Sequence, residues 1–251
     1  VDEAEEFFES YASLRAPLAL LREIGLGYLA LGQPSRTLSG GEAQRLKLAA
    51  EIGKSGRVPT FYVLDEPTTG LHFNEVTKLL GALQRLVDAG HTVYIIEHHP
   101  EVIRAADFVL DLGPGGGGEG GKVVFSGPPD RLLTSDTLTG QALSGRGPVE
   151  KPDKAGKPAR KPLPADEGWI EVEGASQHNL KNVSVRIPRG QITVVTGVSG
   201  SGKTSLVFDT LHAEAQQHYL ESLSTYARRF LTRFTRPKVK EIRGLCPTIA
   251  V

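Results

Sequence analysis

The sequence predicts an α/β protein in which a mixed or parallel sheet is flanked by helices. Three observations support this fold class. Apolar, β-rich segments alternate with helical patterns, two of these segments end in acidic or imidazole side chains, and a third ends in a glycine-rich loop. Because the carboxyl ends of parallel strands meet at one edge of a sheet, we expect the functional groups to gather there.

The glycine-rich loop at 197–204 reads GVSGSGKT and matches the phosphate-binding pattern G-x-x-x-x-G-K-[ST]. A strand-like run precedes it and a helix-compatible run follows, as this loop requires. Its glycines let backbone N–H groups turn toward a β-phosphate, Lys203 can reach the β and γ oxygens, and the Thr204 hydroxyl can bind Mg²⁺. The sequence therefore predicts an ATP site composed of Gly197, Ser199, Gly200, Ser201, Gly202, Lys203, Thr204 and Ser205.

Two acidic residues close an apolar run at 60–64, which is typical of a buried parallel strand. Asp65 can hold Mg²⁺ through water, and Glu66 can polarise a water that attacks a γ-phosphate. A strand that ends in Asp-Glu-Pro could also be an ordinary turn. We predict Asp65 as a metal residue and Glu66 as a catalytic residue.

A second buried strand is predicted at 92–96, after a helical pattern that spans 76–86. It ends in Glu97, His98 and His99. A right-handed crossover makes the two strands neighbours, so His98 is predicted to be a catalytic switch that senses the γ-phosphate. His91 and His99 are expected at the surface.

Serine and glycine also open an apolar-periodic helix, at Ser39, Gly40 and Gly41. Such a helix N-terminus exposes N–H donors and favours an anion, although the same residues could form an ordinary cap. Upstream, residues 3–30 have a helical pattern that Pro17 interrupts.

The remaining segments complete the predicted organisation. Strands at 108–113 and 122–125 enclose a glycine cluster at 115–121 as a hairpin-like edge. Residues 134–168 are rich in Pro, Gly, Lys and Ser and are predicted to be a flexible linker. We therefore expect two parts, 1–133 and 169–251, on either side of this linker.

Composition places the chain among ordinary soluble proteins, with 39% hydrophobic and 23% charged residues in 251. No apolar run approaches the roughly 20 residues that span a bilayer, so no membrane partner is expected. The single Cys246 argues against an internal disulfide and a cysteine-rich zinc site, and it favours a cytoplasmic location. Since Met is absent even at position 1, we expect a fragment.

The net charge is zero, but residues 228–243 hold seven basic side chains against one acidic residue. Part of this segment continues a helical pattern that spans 208–234. Its arginine face could follow a nucleic-acid backbone, or it could simply be solvated. The candidate DNA-binding residues are Arg229, Arg233 and Arg236.

Taken together, these motifs resemble an ATP-binding-cassette (ABC) ATPase. The evidence is the phosphate loop, LSGGE at 38–42, LDEP at 64–67, the turn TGLH at 69–72 and a histidine at the end of a strand. Within that class, the segments 7–33, 37–49, 64–72, 96–98 and 111–114 resemble the carboxyl-terminal cassette of the UvrA family. Segments 178–182, 196–204, 208–211 and 219–230 resemble the beginning of its amino-terminal cassette.

This resemblance implies a DNA-repair ATPase of nucleotide excision repair, with ATP and Mg²⁺ as cofactors. It implies that Ser39, Gly40 and Gly41 contact the γ-phosphate of ATP held by a facing phosphate loop, in a second cassette or a homodimer. Damaged duplex DNA and a UvrB-like protein are the implied partners. Alternatives are an ABC ATPase for drug resistance or of translation-factor type, and an inactive fragment of a tandem protein.

The order of the two segments is reversed relative to that family, whose zinc-binding, partner-binding and damage-contacting insertions are missing here. We therefore expect an incomplete or permuted cassette, such as the junction of two units joined head to tail. From the sequence alone, Lys203 and Asp65 could lie in one active site or in two separate halves.

Overall fold

A mixed sheet forms the centre of the fold, seen in a computed structural model that describes residues 1–54, 58–144, 168–222 and 236–251. Its strands follow the order β4-β3-β7-β2-β1-β9, and all are parallel except β4, which pairs antiparallel with β3. The strands are β1 (Phe61–Asp65), β2 (Thr92–Ile96), β3 (Phe108–Gly113), β4 (Lys122–Gly127), β7 (Ile192–Gly197) and β9 (Thr248–Ala250).

A smaller antiparallel sheet has the order β6-β5-β8. It consists of β5 (Trp169–Ala175), β6 (Val183–Pro188) and β8 (Glu241–Arg243). The inward side chains of β5 and β6, such as Ile170 and Ile187, share one buried cluster with Val63 and Val195 of the central sheet. The two sheets therefore pack over a common core.

Helices and short turns connect these strands. In chain order the helices are α1 (Asp2–Phe7), α2 (Ala12–Glu23), α3 (Gly40–Lys54), α4 (Phe73–Asp88), α5 (Pro100–Ala105), α6 (Pro129–Leu132), α7 (Leu138–Ser144), α8 (Lys203–Leu206), a π-helical segment (Val207–His212) and α9 (Ala213–Ser222). No helix among the described ranges is long and apolar enough to cross a membrane.

The continuous apolar character of the central strands follows from burial on both faces. Along β1, Tyr62 and Leu64 contact the cluster that contains α4, whereas Phe61 and Val63 contact the cluster that contains the smaller sheet. This alternation is the two-residue repeat of a strand, and each face buries apolar side chains. Strand predictions at 60–64, 92–96, 108–113 and 122–125 are confirmed.

Two helical segments differ from the sequence prediction. Pro17 does not interrupt the first pattern, because it lies within α2 at an exposed position, and the break between α1 and α2 falls at residues 8–11. After the phosphate loop the chain is π-helical before α9 begins, and the predicted continuation at 223–235 lies outside the described residues.

The first part of the predicted linker contains α7. Its Leu143 is buried, and the Arg104 guanidinium donates a hydrogen bond to the Leu143 carbonyl at 2.8 Å. Residues 145–167, which make up most of the predicted linker, lie outside the described residues.

Candidate functional site

The position of β7 determines where the phosphate loop lies. This strand pairs in parallel with β2 on one side and with β3 on the other, and β2 pairs in turn with β1. In this register Asp65 is opposite Ile96, and Ile96 is opposite Val195. β1 and β2 therefore end level with Val195, and β7 continues for two more residues to the start of the phosphate loop at the same edge of the sheet.

The phosphate loop follows a path that only glycine adopts readily. Gly200 and Gly202 have φ values of +73° and +104°, in the left-handed region. A Cβ at Gly197 would lie 2.1 Å from the carbonyl oxygen of Leu112. The loop thus requires glycine at these positions because of backbone angle and close approach, as its motif indicates.

Lys203 opens α8 and points its ammonium into the loop. Its Nζ donates hydrogen bonds to the carbonyls of Gly197 and Val198, both at 3.0 Å. Burial lowers the pKa of Lys203, and the carboxylates of Glu66, Asp65 and Asp111 oppose that shift. Three acidic groups therefore act electrostatically on this ammonium: Asp65 at the end of β1, Glu66 directly after it, and Asp111 in β3.

The buried hydroxyl of Ser201 supports the fit of an anionic ligand. Ser201 is fully buried, and its Oγ has no hydrogen-bond partner among the residues that the structure describes. Buried polar atoms are normally hydrogen-bonded, so an orphaned hydroxyl inside a glycine loop is consistent with a missing acceptor. Thr204, by contrast, is exposed at the start of the helix, where its hydroxyl is accessible.

The carboxyl of Asp65 has a raised pKa. Desolvation by the surrounding protein contributes most, the carboxylate of Glu66 adds to it, and Lys203 opposes it. A metal ion would relieve this crowding of negative charge. The described residues contain no group of three or more His, Cys, Asp or Glu side chains that could hold a metal. The donors here fit an ion such as Mg²⁺, which takes one or two protein ligands and completes its shell with phosphate and water.

Glu66 and His98 lie close together, as the crossover argument predicts. The Nδ1 of His98 is 3.7 Å from the Oε1 of Glu66, and both side chains are at least half exposed. Glu66 has a φ of +44°, which is unusual for a residue with a side chain. Its N–H donates to the Ile96 carbonyl at 2.9 Å, which anchors this backbone to β2.

A glycine-rich segment that the sequence predicted only as a hairpin connection packs against the phosphate loop. The N–H of Gly117 donates to the Gly200 carbonyl and the N–H of Gly121 to the Ser201 carbonyl, both at 2.9 Å. A Cβ at Gly116 would lie 2.5 Å from the carbonyl oxygen of Ser199. We call residues 115–121 the glycine collar.

Asn179 joins the glycine collar to the phosphate loop. Its side-chain amide donates to the Gly200 carbonyl at 2.8 Å and to the Gly117 carbonyl at 3.3 Å. Sequence reasoning missed this contact, although seven residues with six glycines directly after a strand are a signal of close backbone approach.

Asp111 is a further buried acid beside this site. The Thr139 hydroxyl donates to its Oδ1 at 2.9 Å, and burial raises the pKa of the Asp111 carboxyl. This bond fastens the start of α7 to β3, at the same sheet edge that carries the phosphate loop. No functional role was predicted for Asp111 from its sequence context.

Comparison with known proteins decides the family. No protein-family model matches the chain. A UvrABC system protein A from Chlamydia muridarum is 46% identical over 255 residues, covering 99% of this chain and 14% of that protein. One from Haemophilus influenzae is 46% identical over 204 residues, covering 81% and 21%. The crystal structure of UvrA2 from Deinococcus radiodurans matches with a TM-score of 0.52 and 39% identity, covering 84% of this chain and 25% of that one.

The chain belongs to the UvrA family. It spans only 14% to 25% of the length of these UvrA relatives. The aligned lengths also show that the chlamydial protein is roughly twice as long as the Haemophilus one. The structural similarity assigns the central sheet and its loop to the P-loop fold of the ABC ATPase type, as predicted.

In this UvrA-family chain the residues LSGGE at 38–42, which we call the signature segment, form the capped start of α3. The N–H of Ser39 donates to Oε2 of Glu42 at 2.6 Å, and the N–H of Glu42 donates to Oγ of Ser39 at 3.3 Å. Ser39 and Gly40 are exposed, and a Cβ at Gly41 would lie 2.9 Å from the Thr69 carbonyl oxygen. The N-terminus of this helix is therefore capped by its own side chains and exposed at Ser39 and Gly40.

Contacts hold α3, which we call the signature helix, against the sheet edge at which β1 and β2 end. The side-chain amide of Gln44 donates to the Asp65 carbonyl at 2.8 Å and to the Val251 carbonyl at 3.0 Å. The Arg45 guanidinium, which is buried, donates to the Thr69 carbonyl at 3.4 Å. The helix α3 and the strand that ends at Asp65 are thus linked within one chain.

Two groups of expected surface residues have different outcomes. Of the candidate DNA-binding arginines, Arg229 and Arg233 lie outside the described residues, whereas Arg236 forms a 3.0 Å ion pair with Glu221.

The prediction that His91 lies at the surface is wrong. Its ring is buried, packs edge-on against Tyr62, and its Nδ1 accepts the Thr60 N–H at 3.2 Å.

Proposed function

We propose that this chain binds ATP at the phosphate loop and hydrolyses it as part of a UvrA-type protein of nucleotide excision repair. One observation carries the proposal: β7 lies between β2 and β3, which brings Lys203 within electrostatic reach of the carboxylates of Asp65 and Glu66. This arrangement supports a single site for the phosphate-binding and the acidic residues, which are more than a hundred positions apart in the sequence. The naming of the relatives favours repair over drug resistance or a translation-factor role.

The phosphate loop would bind the substrate's phosphates. The glycine-rich backbone presents N–H donors at the start of α8, where the helix dipole also favours negative charge. Lys203 would exchange its two carbonyl acceptors for β- and γ-phosphate oxygens, which are stronger acceptors because they are charged. The Ser201 hydroxyl would gain the partner that it lacks within the described residues.

Thr204 and Asp65 would hold Mg²⁺, Thr204 by its hydroxyl and Asp65 by its carboxylate. Held there, the ion would supply positive charge against the charge that develops on the phosphates. Glu66 would then orient a water molecule and accept its proton, and His98 would donate a hydrogen bond to the γ-phosphate. Their 3.7 Å separation lets both side chains act on one phosphate.

Efficient turnover would need a second cassette. The exposed N-terminus of α3, with Ser39, Gly40 and Gly41, would close over ATP held by the phosphate loop of a facing copy. An anion between a phosphate loop and an opposing helix N-terminus attracts both surfaces, and hydrolysis weakens that attraction. A homodimer of the chain would provide two such composite sites.

DNA and a UvrB-like protein are the proposed partners of the whole protein. Within this chain the proposal concerns Arg229, Arg233 and Arg236, whose guanidinium groups would neutralise phosphates. Replacing Arg229 and Arg233 by glutamate should weaken duplex binding and flatten the dependence of log K on log salt, measured by fluorescence anisotropy. An unchanged slope would show that these arginines do not contact DNA.

The ATPase proposal is tested with Lys203→Ala, Glu66→Gln and the exposed surface control Lys78→Ala. Lys203→Ala should weaken binding of a fluorescent ATP analogue because it removes a phosphate donor. Glu66→Gln should keep the binding but reduce phosphate release by about 10²- to 10⁴-fold, the range of a general base. Lys78→Ala should behave like the unsubstituted chain. Phosphate release that survives both site substitutions would refute the assignment.

A further inference from the structure

We propose that Glu97 is a positioning residue that sets Glu66 and His98 at their working separation. The proposal rests on the ATPase function proposed above, and it gives a role to a residue that the sequence analysis left without one. Glu97 directly follows β2, and its side chain is 1% exposed. It is therefore a carboxylate buried at the base of the site rather than a group that could touch the substrate.

The two oxygens of Glu97 bind different loops. Oε1 accepts the N–H of Thr68 at 3.2 Å and also the Thr68 hydroxyl, in the loop after β1. Oε2 accepts the N–H of His98 at 2.7 Å and the N–H of His99 at 2.9 Å, in the loop after β2. One side chain thus joins the loop that carries Glu66 to the loop that carries His98.

The chemistry of these bonds explains why a carboxylate is required. Burying a charge is costly unless donors compensate for it, and here four N–H or O–H donors surround the two oxygens. A neutral amide cannot replace it, because its NH₂ group would face donors on one of the two loops. Only a carboxylate can accept from both loops at once.

Glu66 needs such support because its own backbone is strained. Its φ of +44° is disfavoured for a residue with a Cβ, and strain of this kind persists only where the surroundings enforce it. Two backbone bonds contribute, one from Glu66 N–H to the Ile96 carbonyl and one from Thr69 N–H to the Glu66 carbonyl. The contact between Glu97 and Thr68 holds the same turn in place two residues after Glu66.

The His98 ring lies between the two carboxylates. Its Nδ1 is 3.8 Å from Oε2 of Glu97 and 3.7 Å from Oε1 of Glu66. If Glu97 releases either loop, this separation changes while the phosphate loop, on β7, is not directly affected. The proposal therefore predicts a loss of turnover without a matching loss of ATP binding.

The test uses the full chain with Thr68→Val, its matched control Thr68→Ser, and Glu97→Gln. Valine keeps the shape of threonine but removes the hydroxyl donor, whereas serine keeps the donor. Three measurements are made: the steady-state kinetics of phosphate release, which give kcat and KM for ATP, the unfolding temperature, and hydrogen exchange at the amides of Thr68, His98 and His99. Lys203→Ala reports separately whether the phosphate release comes from this site.

We expect kcat to fall about tenfold or more in Thr68→Val and Glu97→Gln, since small displacements of catalytic groups have effects of this size. KM should stay within about twofold, and Thr68→Ser should restore kcat. Exchange should accelerate at the amides whose acceptor Glu97→Gln removes. The proposal is overturned if those amides exchange faster while kcat is unchanged, or if kcat, KM and unfolding temperature all deteriorate together.

The failure of the ATPase proposal would look different. In that case phosphate release is absent from the unsubstituted chain, or it is the same in Lys203→Ala, and the positioning role of Glu97 in turnover is rejected with it. Exchange at Thr68, His98 and His99 still shows whether Glu97 joins the two loops. Hydrogen exchange therefore reports whether Glu97 joins the two loops, and phosphate release reports whether the chain is an ATPase. The failure of either proposal can be recognised separately.

Discussion

Single residues at the sheet edge that carries the phosphate loop have charges that the fold alone does not favour. Lys203 is an ammonium with a pKa lowered by burial, and Asp65 is a carboxyl at the exposed end of β1 with a pKa raised by partial desolvation and by Glu66. Both shifts mean that the charged form is penalised in the folded chain. Such opposed pairs are common at functional sites, where a ligand or metal supplies the missing compensation.

This electrostatic penalty predicts how Asp65→Asn changes stability with pH. A raised pKa means that the ionised carboxyl destabilises the fold at pH values above the folded-state pKa. The penalty fades as pH falls through that pKa toward the unfolded value, about 3.9. Asp65→Asn should therefore raise the unfolding temperature at neutral pH, and the gain should vanish near pH 4, measured by thermal melts across pH.

Asp88→Asn is the control for this experiment, because it removes one negative charge from an exposed position on α4. It should change the melting profile little. The same Asp65→Asn chain should lose the Mg²⁺ dependence of ATP binding, which would show that the site gives up stability for function. A lower unfolding temperature at neutral pH would contradict the origin assigned to the pKa shift.

At the scale of elements, local patterns predicted most of the fold. The strands that end at Asp65 and Ile96 are continuous apolar runs, and the phosphate loop has a fixed spacing, so both could be found without a structure. Contacts between distant loops could not. Asn179 bonds to Gly117 across 62 positions and Thr68 to Glu97 across 29, and nothing local to either residue indicates its partner.

His91 shows a second kind of failure. Its polarity and its place after a helix suggested the surface, but the ring is buried because the Thr60 N–H gives it a hydrogen bond and Tyr62 packs against it. A buried polar group is acceptable once it is paired. Polarity alone therefore could not predict its position.

The glycine collar provides a prediction at this scale. Gly116→Ala places a methyl group about where the carbonyl of Ser199 lies, since the ideal Cβ is 2.5 Å from that oxygen. The phosphate loop or the collar must shift, at a cost of roughly 1–3 kcal/mol. We expect a lower unfolding temperature and about tenfold weaker binding of a fluorescent ATP analogue, because 1.4 kcal/mol corresponds to a factor of ten.

Gly118→Ala is the matched control, two residues further along the same collar. A Cβ added at Gly118 has no neighbour within 4 Å among the described residues, and the φ of Gly118 is not in the left-handed region. It should bind the analogue within about twofold of the unsubstituted chain. Equal effects of the two substitutions would mean that the collar matters for its own backbone flexibility and not for its contact with the phosphate loop.

At the scale of the whole molecule, the decisive feature is that strands from both sides of residues 145–167 share one sheet. The sequence left open whether Lys203 and Asp65 meet, because strand pairing over such a distance has no local signal. In the structure β7 lies between β2 and β3, and Lys203 interacts electrostatically with Asp65. The two sequence segments that resemble different UvrA cassettes thus form one sheet with one phosphate loop.

A single sheet with one phosphate loop and one exposed signature helix makes a specific prediction about assembly. If Ser39 acts on ATP held by a facing copy, Lys203→Ala and Ser39→Arg disable different halves of each composite site. Each variant alone should release little phosphate, because every site in its homodimer contains one defective half. In a mixture, heterodimers contain one site with an intact Lys203 from one copy and an intact Ser39 from the other.

Phosphate release should therefore reappear when the two inactive variants are mixed, and it should rise with protein concentration because the active species is a dimer. The control is a mixture of the Lys203→Ala chain with a chain that carries both substitutions. That mixture contains no site in which both halves are intact. Activity in the first mixture and not in the control would support a signature helix that works across the interface. If neither mixture is active while the unsubstituted chain is, Ser39 and Lys203 must serve the same copy, and the facing-cassette arrangement is wrong.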